Sequence, residues 1–369
     1  MSSTVSAILS ATPTPERVIN GLNWTFDDLY NILPQWVKDW ILNKQLGVFN
    51  FATVSLIVGG IVVLKFLASV IALLYTMFLT SKTNYITKYK AGYGAWAVVT
   101  GASQGIGREF ALQLAEKKFN IFLLARNKEK LDELARDIQQ AYNVEVIVHP
   151  FDFAEADDED WDKLEDTLLA NDREITILVN NVGINQPYPN PFAEEDPDLL
   201  TSIVTVNCTA QVRITRIIFP EMVRRHKGLI LNVGSVAGLF PNAFLAVYSG
   251  TKAFLRNWSR ALALEGEAMG VEVQHVKTYY VSTAMSKMKP TSLAPTPEAY
   301  VRKVLATGGA FEDDAPYPQH MAFTWAIDNI LPEGALMQKA YELNIGIRQR
   351  ALARKKRLEE AEATAAKKE

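Results

Sequence analysis

Residues 93–285 predict an α/β fold, a doubly wound parallel sheet with helices on both faces. Three observations carry that prediction. Six short β-branched runs recur along the chain, at 96–100, 120–125, 144–150, 175–181, 228–234 and 271–276. Amphipathic stretches separate them, such as "REFALQLAEKK" (108–118) and "KEKLDELARDIQQAY" (128–142). Alternating strand and helix patterns make βαβ units, and runs apolar on both faces suit strands covered from both sides. The third observation is a glycine-rich turn, "TGASQGIG" (100–107), between the first run and the first helix. Ligands of such sheets bind beyond the carboxyl ends of the strands, so the residues that follow each run are the functional candidates.

Composition narrows the class. A chain of 369 residues holds one large domain or two small ones, and 49% hydrophobic with 21% charged residues fits a globular protein with a membrane part. A net charge of −3 gives no basic field for nucleic acid. The single cysteine, Cys208, excludes an intrachain disulfide framework and fits a reducing compartment. The histidines, at 149, 226, 275 and 320, show no metal-ligand spacing, and no metal is expected.

In the glycine-rich turn, Gly101 permits a tight bend, Gly105 lets backbone approach a pyrophosphate, and Gly107 allows close helix packing. The helix that follows offers free N–H groups and the positive end of its dipole to phosphate. After the second run stands Arg126, with Lys128 and Lys130 nearby. An enzyme that selects NAD usually carries an acid there, on the ribose 2′-hydroxyl. A guanidinium instead attracts a 2′-phosphate, and Ser103 can add a hydrogen bond. The expected cofactor is therefore NADPH. The plainer reading of Arg126 is a surface charge at a helix start.

"VYSGTKAFLRN" (247–257) sets Tyr248 and Lys252 four residues apart, on one face of a helix. Ser235 ends the fifth run, Asn181 ends the fourth in "LVNNVG", and Asn207 lies in the helix after that. A tyrosine with a free pKa of about 10 is a poor acid-base catalyst near neutrality. A neighbouring ammonium, that of Lys252, favours its ionised form. Plainer readings stand beside these: Ser235 as a cap, and Asn207 as a partner for buried backbone.

Together the motifs resemble the short-chain dehydrogenase/reductase family, which reads TGxxxGxG, NNxG, Ser and YxxxK. The resemblance covers about residues 93–285. It implies a Rossmann-type domain in which cofactor and substrate share one cleft, and a ketone reduced by hydride. It also implies the roles. Tyr248 gives the proton, Lys252 bonds the nicotinamide ribose, Ser235 holds the carbonyl oxygen, and Asn207 supports a relay water. Asp152, in "HPFDF", touches the adenine region. Asn180 and Asn181 steady the central sheet and line the cofactor. Ile106, Val281 and Thr283 complete the cofactor set, with Thr283 at the carboxamide.

One departure points to a sub-branch. Where the family usually has Pro-Gly after the last run, this chain has Thr278-Tyr279-Tyr280. With Arg126 and an apolar segment upstream, it resembles the microsomal β-ketoacyl-CoA reductases of fatty acid elongation. That implies reduction of a long-chain 3-oxoacyl-CoA, with other elongation-cycle enzymes as partners. A membrane hydroxysteroid or retinoid reductase uses the same residues and stands as the alternative. A non-catalytic NADPH-binding scaffold is a third.

Residues 50–80 read as a transmembrane or membrane-embedded helix. The stretch 51–80 carries one charge, Lys65. As a helix it runs roughly 45 Å against about 30 Å of hydrocarbon. A buried core helix is the alternative. Lys82, Lys88 and Lys90 follow it without an acid, which points to a cytosolic C-terminal side. Within 1–49, residues 24–43 read as an interfacial segment or a short soluble helix. The end, "AAKKE", incompletely resembles a dilysine retrieval signal. The expected location is the endoplasmic reticulum membrane, against membrane lipid, with the catalytic domain facing the cytosol. Residues 286–345 read as a C-terminal extension on the substrate side, whose apolar and aromatic groups make an acyl channel, a membrane-docking flap or, for most of them, an extension of the core, and 346–369 as a charged tail. Asn23 and Asn257 open glycosylation acceptor patterns. In the expected topology Asn23 alone is luminal.

Overall fold

The computed structural model describes residues 34, 35, 38, 51–78 and 82–366. Apart from residues 34, 35 and 38, the segment 24–43 lies outside the described residues, as do Asn23 and residues 367–369 of the proposed retrieval signal. The chain divides into two units, 1–70 and 71–369.

Helix α1 (Phe51–Phe78) runs unbroken through Gly59-Gly60. Among the described residues it is the one helix long and apolar enough to cross a membrane, with 26 residues, Thr53–Phe78, at a mean hydropathy of 2.6. Leu56, Ile61, Val62, Leu64, Leu67 and Ile71 are all exposed. A helix apolar all round needs either a protein interior or lipid.

The second unit is built on a parallel sheet of seven strands in the order β3-β2-β1-β4-β5-β6-β7. They are β1 (Trp96–Thr100), β2 (Asn120–Ala125), β3 (Val146–Pro150), β4 (Ile175–Asn180), β5 (Gly228–Val233), β6 (Val271–Val276) and β7 (Asp313–Asp314). The first six fall within the predicted runs. β7 has no apolar pattern; it is made by pairing with β6, His275 against Asp313 and Val276 against Asp314.

Helices cover both faces: α2 (Tyr85–Tyr89), α3 (Gly105–Glu116), α4 (Lys128–Tyr142), α5 (Asp158–Leu169), α6 (Pro197–Val204), α7 (Ala210–Arg224), α8 (Ala246–Glu267), α9 (Pro297–Ala306), α10 (Pro318–Asn329) and α11 (Glu333–Ala366). Local chemistry starts several of them. The Asn127 side chain accepts from Lys130 N, and Asp157 with Asp160 forms a capping box. Alternation along the strands feeds two cores. Ala97 and Val99 of β1 join Phe110, Leu114, Ile138 and Tyr300 on one face. Trp96 and Val98 join Trp161, Leu164, Ile214 and Ile218 on the other.

The folded core begins ahead of residue 93. Tyr85 and Tyr89 of α2 are buried in the first cluster. Tyr85 Oη donates to the Leu305 carbonyl at 2.9 Å, Thr83 N donates to the Ala306 carbonyl at 2.9 Å, and Tyr89 Oη donates to Glu272. In the C-terminal extension, Tyr300, Val301, Val304 and Leu305 join the same core, and Met321 is buried while Leu331 is exposed. α11 runs continuously through the expected boundary at 345/346.

Candidate active site

The turn after β1 is shaped by its glycines. Gly101 and Gly105 adopt positive φ, +64° and +59°, which suits glycine. A Cβ on Gly107 would overlap the Gly101 carbonyl, and one on Gly105 would lie 3.3 Å from Thr283 Cγ2. α3 starts at Gln104, whose side chain makes no cap bond, so the leading N–H groups point into the turn. Ser103 is half-buried in that turn, and Ile106 is half-buried against the first core.

Thr100 and Asn181 tie the ends of β1 and β4 together. Thr100 Oγ1 accepts from Asn181 N at 2.9 Å and Val182 N at 3.0 Å, and donates to the Val179 carbonyl at 3.1 Å. Asn181 Nδ2 donates to the Thr100 carbonyl at 2.9 Å and the Gly101 carbonyl at 3.3 Å. Asn180 points the other way. It is fully buried, donating to Thr215 Oγ1 and Asn232 Oδ1 at 2.9 and 2.8 Å. It steadies the sheet from inside and does not reach the turn where a dinucleotide would lie.

Arg126 follows β2 and is largely exposed. Its guanidinium lies 3.7 Å from Asp152 Oδ2, which follows β3. Asp152 Oδ1 accepts from Ala154 N at 3.0 Å. Both side chains thus stand beyond the carboxyl ends of neighbouring strands. On the other flank, Val281 is buried, its carbonyl accepts from Ser286 Oγ at 2.5 Å, and Thr283 Oγ1 accepts from Ser286 N at 3.2 Å.

Ser235, Tyr248, Lys252 and Asn207 lie beyond β4 and β5. Ser235 caps a short 3₁₀ turn, Val236–Gly238, accepting from Ala237 N at 3.1 Å, and its hydroxyl is near enough to Tyr248 to act on that phenol's proton. The capping reading of Ser235 therefore holds. Lys252 is buried; its Nζ donates to the Val233 carbonyl at 3.1 Å and lies 5.9 Å from the Tyr248 ring centroid. Asn207 sits in a π turn, Thr205–Thr209, between α6 and α7, a distortion common at functional sites. It accepts from Ile184 N at 2.8 Å and donates to the Ile184 carbonyl at 2.9 Å and Thr251 Oγ1 at 3.1 Å. Gly183 closes the group: a Cβ there would come within 3.3 Å of Asn207 Oδ1 and 3.7 Å of Lys252 Nζ.

Burial sets the electrostatics. It pushes the Tyr248 phenol up, against the lowering effect of Ser235 and with a further rise from Tyr280. It pulls Lys252 down to about 8. Cys208, half-buried beside Thr251, is pushed up to about 11, also by burial. A mostly apolar cavity of about 590 Å³ between α7 and α8 is lined by Cys208, Thr251 and Phe254 among others. It contains none of Ser235, Tyr248 or Lys252.

Two contributors were not singled out from sequence. Gly183 was written only as part of "NNVG", and Tyr280 only as part of a departure. The departure now has a shape. The Thr278 hydroxyl meets Tyr300 Oη at 2.7 Å, and Tyr279 packs on Phe323 with centroids 4.8 Å apart. α9 and α10 thus buttress the strand-end segment that reaches Thr283.

Comparison with known proteins fits this geometry. The short chain dehydrogenase family model matches residues 95–293. A protein of Neurospora crassa named very-long-chain 3-oxoacyl-CoA reductase is 41% identical over 308 residues, 80% of this chain and 91% of that one. One of the same name from Candida albicans is 40% identical over 333 residues, 85% and 90% of the two chains. Among solved structures, a short-chain dehydrogenase from Sphingobium yanoikuyae in complex with NADPH superposes with a TM-score of 0.56 at 28% identity, covering 63% of this chain and 92% of that one. A metagenomic short-chain oxidoreductase in complex with NADP has a TM-score of 0.52 at 28% identity, covering 61% and 96%. The chain belongs to the short chain dehydrogenase family and is an oxidoreductase of that family.

Proposed function

We propose that the protein reduces long-chain 3-oxoacyl-CoA to 3-hydroxyacyl-CoA with NADPH, in very-long-chain fatty acid elongation. One observation carries the reading. Ser235, Tyr248, Lys252 and Asn207 meet beyond β4 and β5 in a chain about 40% identical to reductases of that name.

The residues fit a dinucleotide: the uncapped α3 N-terminus and the glycine turn suit its phosphates, and Asn181 and Thr283 flank that turn. Arg126 suits a 2′-phosphate, and the pair with Asp152 leaves it exposed. When bound, the cofactor supplies the hydride. The Ser235 hydroxyl and the Tyr248 phenol hold the C3 carbonyl oxygen. As the carbonyl carbon accepts the hydride, the Tyr248 O–H bond breaks and its proton goes to that oxygen, giving the 3-hydroxyl group. A phenol raised by burial stays protonated at neutral pH, which is the state the reductive direction needs. Lys252, pulled down to about 8 by burial, is the group that returns a proton to Tyr248, with Asn207 near its ammonium across Gly183.

The substrate gives α1 a purpose. Each buried CH₂ is worth about 0.8 kcal/mol, so a very long acyl chain strongly prefers lipid. We place the protein in the endoplasmic reticulum membrane with residues 93–285 facing the cytosol, where NADPH and CoA are dissolved. Membrane lipid and other elongation-cycle enzymes are its proposed partners. The test is an NADPH-oxidation assay on membranes holding the protein, offering a long-chain 3-oxoacyl-CoA and a steroid ketone side by side. The reading expects turnover of the acyl-CoA well above the steroid. Turnover of the steroid alone would overturn it.

A further inference from the structure

Phe244 stands in the left-handed region, with φ at +66°. A bulky side chain is strained there, and such strain persists only where surroundings enforce it. The residue lies four positions before Tyr248, in the turn that enters α8. What enforces it comes largely from one face of α11. Asn344, buried, donates through Nδ2 to the Ala243 carbonyl at 2.8 Å. Tyr341 packs its ring on Phe244, with centroids 5.3 Å apart. Arg348 donates to Asn190 Oδ1 at 3.0 Å and pairs with Glu194 at 2.5 Å. Asn190 N in turn donates to the Phe244 carbonyl at 3.0 Å. Residues 341, 344 and 348 are spaced as one helix face. The chain they reach, 190–194 and 243–244, belongs to the loops after β4 and β5, and the second of these carries Ser235.

We propose that α11 is a brace. It holds Phe244 in its strained conformation and thereby fixes the start of α8, with Tyr341 and Asn344 as positioning residues for Tyr248. The proposal rests on the reductase reading above. A buried amide is costly unless bonded, and the bond of Asn344 is spent on the carbonyl next to the strained residue. The charged residues of α11 between 333 and 361 that do not touch these loops are exposed.

The test uses the full chain in membranes, with Tyr341→Ala and Asn344→Ala each made alone and together with Phe244→Gly. Glycine adopts positive φ without strain, so the loop then no longer needs the brace. Each single variant should lower kcat on 3-oxoacyl-CoA about tenfold, the factor that roughly 1.4 kcal/mol of lost positioning gives. NADPH affinity, read by nucleotide fluorescence, should stay unchanged. Adding Phe244→Gly should restore kcat. Unchanged kcat in the single variants would overturn the brace. So would a loss that NADPH affinity shares and Phe244→Gly does not relieve. If Asn344→Ala does not fold, Tyr341→Ala carries the test alone, since Tyr341 is 38% exposed. If the wild-type chain does not reduce 3-oxoacyl-CoA, the substrate reading fails, and the same variants are measured on the ketone it does reduce.

Discussion

At Tyr248 opposing influences meet: burial, and then Tyr280, hold the proton on, while the Ser235 hydroxyl eases it off. Burial dominates, so the phenol holds its proton, and in the proposed reaction nucleotide binding and chemistry become separable properties. Tyr248→Phe keeps the ring and removes the proton. Its kcat should fall by about 10² to 10⁴, with NADPH affinity nearly intact by fluorescence titration. Arg126→Ala should do the reverse: weaker NADPH binding, little change toward NADH, and kcat preserved at saturating cofactor. The neighbours Asn180 and Asn181 show what a sequence withholds at this scale. Successive strand residues face opposite sides, so one amide is committed to the sheet interior and the other to the glycine turn. Both read as the same motif letter.

Among the elements, the six long strands were legible because burial on both faces writes continuous apolar runs. β7 was not, because two aspartates carry no such pattern. Its strand geometry comes from backbone bonds with β6, His275 N to the Glu312 carbonyl and Lys277 N to the Asp314 carbonyl, both 2.7 Å. The two carboxylates then diverge. Asp313 meets Arg256 and His275, both at 2.8 Å, and is held well below the usual range. Asp314 is buried with Gln274 at 2.7 Å, and burial pushes it up to about 7. Its carboxyl keeps a proton in the folded state that the unfolded chain gives up near 3.8. Stability from this group therefore falls as pH rises from about 4 to 7. Asp314→Asn should remove that slope, so its Tm should exceed the wild type's at pH 7.5 and match it near pH 4. A scanning calorimetry series in pH checks this. The bracing face of α11 was equally hidden, since a helix rich in Lys, Arg and Glu reads as solvated whether or not a few residues on one side make contact.

For the whole molecule, α1 and the core that starts at α2 matter most. Full-length protein should resist extraction from membranes by alkaline carbonate. Release into the supernatant would contradict a spanning or embedded α1. Tyr89→Ala should cost about 3 kcal/mol of stability, the range seen for large buried aromatics, although it lies ahead of the glycine-rich turn and every motif after it. Thermal denaturation of the full chain measures it. Cys208 offers a practical consequence. Burial pushes its thiol up to about 11, so little of it is thiolate at pH 7. It should alkylate more slowly than an exposed cysteine with an unshifted thiol. Cysteines introduced one at a time near either end of α1 can thus be tagged with an impermeant maleimide in sealed vesicles, without first removing the native thiol. The side on which each label appears gives the topology directly.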